Sequence, residues 1–250
     1  MSFFPPIARM IVEKDPAKRD WLFKMGKDFP INTDESNFFA ADNLITFGKI
    51  LGFLKEPNFV ENAEEVFKND ELHRSIIWRI YILSWSINQC KTIDGDMIEF
   101  GCYDCNVAEF LVNYCNLTKH KKKFYLYDIF DNPPTHKFSK HSETLFDDVS
   151  KRLKKYKFIN IIKGLLPNSY KDEVVNKISF VHFDLNSAKT EIDLLKKIYD
   201  KISIGGHIVI DDYGWSGFEE QHEAHKNFFQ SKDQIILELP TGQGLVIKRN

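Results

Sequence analysis

From Met97 onward, short runs of β-branched and aromatic residues alternate with longer polar segments, and this alternation constrains the fold more than any other feature of the chain. The runs are Met97-Ile98-Glu99-Phe100, Phe124-Tyr125-Leu126-Tyr127, Phe158-Ile159-Asn160-Ile161-Ile162, Ile178-Ser179-Phe180-Val181-His182-Phe183 and His207-Ile208-Val209-Ile210. They begin roughly 20 to 35 residues apart, enough for a crossover helix between successive strands, as in βαβ units and a parallel sheet. Near-continuous apolar character suits strands covered on both faces. Two further runs, Gln234–Leu239 and Gly244–Lys248, are separated only by Pro240-Thr241-Gly242-Gln243. No helix fits into that connection, so this last pair must form an antiparallel hairpin.

Five parallel strands followed by such a hairpin is the strand plan of class I methyltransferases. The sequence therefore predicts an α/β, Rossmann-like fold with a mostly parallel seven-stranded sheet. Ile192, Leu195, Ile198, Tyr199 and Ile202 recur at helical spacing between the fourth and fifth strands, with Gly205-Gly206 as the expected stop. Residues 1–92 are rich in helix formers and aromatics and show no clear strand run. Within them, Glu71–Cys90 reads as one buried helix leading into the first strand. The expected organisation is an N-terminal helical cap region, 1–92, covering a Rossmann-like core, 93–250, together one structural domain.

Composition narrows the function classes. With 22 Phe, 9 Tyr and 4 Trp the chain has too much apolar surface to stay disordered. A net charge of −2 lacks the basic excess expected of a nucleic-acid binder. No stretch approaches the ~18 apolar residues of a membrane span, and Met1–Pro6 lacks the layout of a secretory signal. Four cysteines with no signal point to a reducing compartment and a cytoplasmic location.

Acidic residues mark the strand ends. Asp184 closes the fourth strand and Asp211-Asp212 close the fifth. In a parallel sheet these ends share the edge where ligands bind. Neighbouring strands sit about 4.8 Å apart, so their terminal carboxylates can converge on one point. Three like charges there call for a cation, and hard oxygen donors suit Mg²⁺, Mn²⁺ or Ca²⁺ rather than zinc. The competing structural account gives one Asp to a helix cap and another to a lysine. His182 shares the strand face of Asp184, while His222 and His225 follow on a helix. One of these histidines as proton acceptor is favoured over any as a metal ligand.

The first strand ends in Glu99-Phe100-Gly101-Cys102-Tyr103-Asp104-Cys105-Asn106, a strand–turn–helix junction whose backbone N–H groups can approach a ligand. With one glycine, a purely structural turn explains it equally well. Asp128, ending the second strand, is placed to hold the two hydroxyls of a cofactor ribose or to cap a helix. Cys102-x-x-Cys105 admits a redox dithiol, although two small residues packing a tight turn is the favoured account. The basic runs Lys119–Lys123 and Lys151–Lys155 read as solvated helix ends.

These stretches resemble the macrocin O-methyltransferase family, the S-adenosylmethionine-dependent, metal-dependent sugar O-methyltransferases of macrolide and aminocoumarin pathways. The likeness runs from roughly Asn43 to Lys248. It is carried by Trp78-Arg79 with Trp85, by Gly95-Asp96-Met97-Ile98-Glu99-Phe100-Gly101, by Tyr127-Asp128-Ile129-Phe130, and most specifically by Gly205-Gly206-His207-Ile208-Val209-Ile210-Asp211-Asp212-Tyr213-Gly214. The chain departs from the family pattern at Cys105-Asn106, at Asp184-Leu185-Asn186-Ser187-Ala188 and around Asn132-Pro133-Pro134.

The resemblance implies S-adenosylmethionine as methyl donor, contacted by Glu99, Gly101, Tyr103 and Asp128. It implies Mg²⁺, or another divalent cation, on Asp184, Asp211 and Asp212. Asp184, or His182 beside it, would take the proton of a hydroxyl on a sugar or other small molecule. Family members tend to form homo-oligomers, so self-association is expected, with no nucleic-acid partner. Two other classes share the same residues: a metal-dependent hydroxylase or hydrolase using His182 and the three aspartates, and a non-catalytic protein that only binds S-adenosylmethionine.

Overall fold

A computed structural model describes residues 38–130 and 140–249, together with the single positions Ala17 and Asp20. The Met1–Pro6 segment and Asn132-Pro133-Pro134 lie outside the described residues. The chain divides into two compact units, Met1–Tyr81 and Ile82–Asn250.

The first unit contains a hairpin where no strand was expected. Strands β1 (Phe38–Ala41) and β2 (Leu44–Phe47) pair antiparallel around Asp42 and Asn43. Both turn residues have positive φ, 52° and 59°, the backbone of the tight turns that match strand twist. Strands this short carry little periodic signal, and the turn is spelled Asp-Asn instead of the stronger Asn-Gly. Helices α1 (Pro57–Phe67) and α2 (Glu71–Ser75) follow. The segment read as one helix is broken at Ile76, and α3 (Ile77–Cys90) resumes after it. At the break, the Ser75 hydroxyl donates back to the Leu72 carbonyl at 2.6 Å. The two units meet in sequence inside α3. Arg79 is buried and clasps Asp42 with two hydrogen bonds, Nε to Oδ2 at 2.5 Å and Nη2 to Oδ1 at 3.0 Å. This bidentate pair ties the hairpin turn to α3, so the Trp78-Arg79 motif has a structural role. Phe53 stacks on Tyr81 with ring centroids 4.4 Å apart.

The second unit is the seven-stranded sheet. Its strands are β3 (Asp96–Phe100), β4 (Phe124–Asp128), β5 (Ile159–Lys163), β6 (Ile178–Phe183), β7 (Ile202–Ile210), β8 (Leu237–Glu238) and β9 (Gly244–Ile247), in the spatial order β5-β4-β3-β6-β7-β9-β8. The first five pair in parallel, and β9 pairs antiparallel with both β7 and β8. Helices α4 (Asn106–Tyr114), α5 (Leu145–Leu153), α6 (Ala188–Ile198) and α7 (Glu219–Gln230) follow β3, β4, β6 and β7. On one face Ile98, Phe100, Val181, Phe183, Ile208 and Ile210 form a core with Leu194, Leu195 and Ile198 of α6 and Phe229 of α7. Burial of each such side chain contributes roughly 1.5–3 kcal/mol. No helix among the described residues is long and apolar enough to cross a membrane.

The glycine pair after α6 does not stop that helix. The helix ends at Ile198, a 3₁₀ turn spans Tyr199–Lys201, and β7 begins at Ile202 and runs through both glycines. Gly205 has φ +81°, and the β6–β7 register shifts between Ile178 and Phe180, so the glycines mark an irregularity within the strand. Periodicity alone extended the helix one turn too far because Tyr199 and Ile202 continue its apolar spacing.

On the opposite face His207 is buried against Trp85, ring centroids 5.4 Å apart, and its Nδ1 has no hydrogen-bond partner among the described residues. Burial pushes its pKa down to about 4. The unfolded chain therefore binds this proton more readily than the folded one. The contribution is present above pH ~6.5 and lost as pH falls towards 4, on the order of 3 kcal/mol at most. His207→Leu should flatten the fall in Tm between pH 6.5 and 4. An unchanged acid slope would contradict this assignment.

Candidate active site

The sheet carries its acidic residues to one edge. Asp184 N donates to the Phe100 carbonyl at 2.8 Å, and Asp211 N donates to the Phe183 carbonyl at 2.9 Å. The ladder thus continues one residue past β6 and β7 and fixes where both tips point. One carboxylate oxygen from each of Asp184, Asp211 and Asp212 lies within 4.8 Å of the other two, with Asp211 buried and the other two residues half-buried.

Asp211 also belongs to a buried row of charged groups with His182 and Glu99. His182 Nδ1 is 2.9 Å from Glu99 Oε1, and its Nε2 is 3.6 Å from Asp211 Oδ1, an ion-pair distance. Burial pushes the imidazole pKa down, but the carboxylates of Asp211 and Glu99 outweigh it and hold it up at about 10. Asp211 Oδ1 also accepts from Gln243 Nε2 at 2.9 Å, and Gln243 Oε1 accepts from the Thr241 hydroxyl at 3.0 Å. The hairpin connection, read in sequence only as a turn, therefore supplies a fully buried amide that orients Asp211.

The β3–α4 junction forms the neighbouring wall. Gly101 has φ +92°, and a Cβ there would lie 1.9 Å from the Asp184 carbonyl oxygen. Only glycine meets both demands. Gly101 N and Cys102 N both donate to the Tyr127 carbonyl, at 2.8 and 3.2 Å. Tyr103 N donates to Asp128 Oδ2 at 2.8 Å, Phe130 N donates to Asp128 Oδ1 at 2.9 Å, and His141 Nε2 lies 3.2 Å from Oδ1. Asp128 thus binds the two loops together as well as facing the strand ends. Tyr103 and Cys105 adopt left-handed φ of 50° and 56°, a conformation glycine reaches without strain. Glu99 is buried, and its Oε2 has no hydrogen-bond partner among the described residues. A buried carboxylate oxygen without a partner is costly, and a donor brought by a ligand would satisfy it.

Other candidates are committed elsewhere. Burial pushes the Cys102 thiol well up, and both it and Cys105 are buried in the turn, where they pack rather than react. His222 stacks on Tyr213 at 4.3 Å with Nδ1 3.0 Å from the Tyr213 carbonyl. His225 is buried, with Nδ1 2.8 Å from the Gln221 carbonyl and Nε2 3.2 Å from Glu191 Oε2.

A mostly parallel sheet with an antiparallel final hairpin, a glycine turn after β3 and acids at the tips of β6 and β7 is the arrangement of a class I methyltransferase. Residues 83–238, more than half of the chain, match the model of the macrocin O-methyltransferase (TylF) family, and the chain belongs to that family. It is an O-methyltransferase, with S-adenosylmethionine as the methyl donor. No curated protein matches the sequence. Among solved structures it is similar to the O-methyltransferase NovP, at 14% identity and TM-score 0.58, over 70% of this chain and 81% of that one. CalS11, a calicheamicin methyltransferase, aligns over 94% of both chains at 12% identity and TM-score 0.58. The S-adenosylhomocysteine-bound methyltransferase PaMTH1 of Podospora anserina aligns over 98% of this chain and all of its own, at 13% identity and TM-score 0.54. At these identities the likeness establishes the fold.

Gly101→Ala should cost about 3 kcal/mol of stability through strain and overlap, and should abolish the thermal shift given by S-adenosylhomocysteine. Normal binding by this variant would contradict the packing of Gly101 against β6.

Proposed function

We propose that this protein methylates a sugar hydroxyl, with a divalent cation held by Asp184, Asp211 and Asp212. The observation that carries the reading is the convergence of those three carboxylates within 4.8 Å of one another, together with a buried Glu99 oxygen that lacks a hydrogen-bond partner among the described residues. The donor set fits the ion, because clustered hard oxygens suit Mg²⁺ or another divalent cation of its kind. When bound, such an ion lowers the pKa of a hydroxyl at the site by Lewis acidity. One of the similar structures is described as a TDP-rhamnose 3′-O-methyltransferase of calicheamicin biosynthesis, which supports a nucleotide-linked or glycosidic sugar as acceptor.

The chain's own residues divide the remaining tasks. Glu99 Oε2 accepts from the ammonium group of the methyl donor. The loop from Gly101 to Tyr103 lies against the donor, and Asp128 receives its ribose hydroxyls. What is left is to set the acceptor oxygen in line with the methyl group and to take its proton. Asp184 takes it, being the half-buried carboxylate at the tip of β6. His182 does not serve as the acceptor in this reading. Its ring is buried between Glu99 and Asp211, so it orients these two carboxylates.

Asp211→Asn keeps the shape of the cluster and removes one charge. Methyl transfer from labelled S-adenosylmethionine to TDP-linked deoxysugars should fall more than about 100-fold, while circular dichroism stays as in the wild type. Activity of the wild type should stop with EDTA and return with Mg²⁺. Turnover by a metal-stripped protein would refute the role of the cation.

A further inference from the structure

Glu191 of α6 is fully buried, although α6 is otherwise a surface helix with an apolar stripe. It occupies a position on that stripe, with Leu194, Leu195 and Ile198. A carboxylate in such a place is costly unless it is hydrogen-bonded. Its partners lie on both sides of the acidic cluster. Oε1 accepts from Leu185 N at 3.0 Å, and Oε2 accepts from Gln221 Nε2 at 2.8 Å with His225 Nε2 3.2 Å away.

One of these partners follows Asp184 directly, and the other lies on the helix that follows Asp211-Asp212. Leu185 N belongs to the peptide that follows Asp184, so a hydrogen bond to it restrains the backbone torsion that aims the Asp184 side chain. The next residue, Asn186, has a left-handed φ of 54°, and Ser187 then caps α6 by accepting from Thr190 N. Gln221 lies on α7, the helix reached from Asp211-Asp212 through Tyr213 and Gly214. Burial pushes the Glu191 carboxyl up to about 7 against the pull of the Leu185 amide and the Gln221 side chain, so the residue is retained at an electrostatic penalty.

We infer that Glu191 is a positioning residue that brackets the connections leaving β6 and β7, joining the peptide after Asp184 to α7, and so sets the orientation of the Asp184 side chain within the cluster. The inference rests on the metal reading proposed above. It assigns Glu191 no contact with donor, acceptor or ion. Glu191 acts through the Leu185 peptide and through α7, as outer partners of metal ligands do in general.

The test is Mn²⁺ binding to the full-length protein, followed by the electron paramagnetic resonance of free Mn²⁺, with S-adenosylhomocysteine binding measured in parallel. Glu191→Ala should weaken Mn²⁺ binding about 10-fold or more and leave S-adenosylhomocysteine binding unchanged. Glu191→Gln, which can still accept from Leu185 N, should recover affinity to within about 3-fold of the wild type. A merely structural role would weaken both ligands together and would give no selective rescue. Should Glu191→Ala fail to fold, Gln221→Met carries the test: weaker Mn²⁺ binding supports the bracket, and wild-type affinity overturns it. Wild-type affinity in a folded Glu191→Ala overturns it as well. Absence of Mn²⁺ binding by the wild type would instead remove the metal reading and the bracket with it.

Discussion

Three carboxylates held within 4.8 Å of one another at the tips of adjacent parallel strands are the interaction around which the second unit is arranged. At an effective dielectric near 20, each such pair of charges repels by roughly 3–4 kcal/mol. The backbone ladder keeps the groups together regardless, since Asp184 and Asp211 are both pinned by their own amides to the neighbouring strand. His182 and Gln243 offset part of the repulsion on Asp211. In the proposed function a cation between the three groups is their complement, placed to activate an acceptor hydroxyl.

The rest of the site follows from the same edge of the sheet. Gly101 allows β3 and β6 to end close together, because any side chain there would strike the Asp184 carbonyl. The turn after β3 and the acidic cluster therefore share a backbone contact. Asp128 performs a similar service between the loops after β3 and β4. Glu99 links the two halves: one oxygen meets His182, and the other has no hydrogen-bond partner among the described residues. Packing, charge and ligand geometry are coupled through three or four side chains rather than spread across the domain.

Much of this was legible in the sequence because strands covered on both faces spell themselves as apolar runs, and their terminal acids stand out against that background. Asp184, Asp211 and Asp212 were readable for this reason, and the sheet, hairpin included, followed from spacing. The β1–β2 hairpin was not, since four-residue strands leave no periodic trace and Asp42-Asn43 is a weak turn signal. The glycine pair misled because a bulge and a helix stop use the same residue. Glu191 offered a signal that went unread: a charge on the apolar stripe of a helix. Gln243 offered none, because a polar residue in a turn is ordinary, and its contact with Asp211 spans 32 residues of sequence. His182 was readable as a neighbour of Asp184. Its role depends on Glu99 across the sheet, which only the β3–β6 register reveals.

The central claim is that these three carboxylates share one divalent ion. The most direct measurement is anomalous scattering from crystals grown with Mn²⁺ and S-adenosylhomocysteine. The account predicts a single peak within coordination distance of Asp184, Asp211 and Asp212. A peak elsewhere, or a map in which the three side chains turn to separate partners with no density between them, would contradict it.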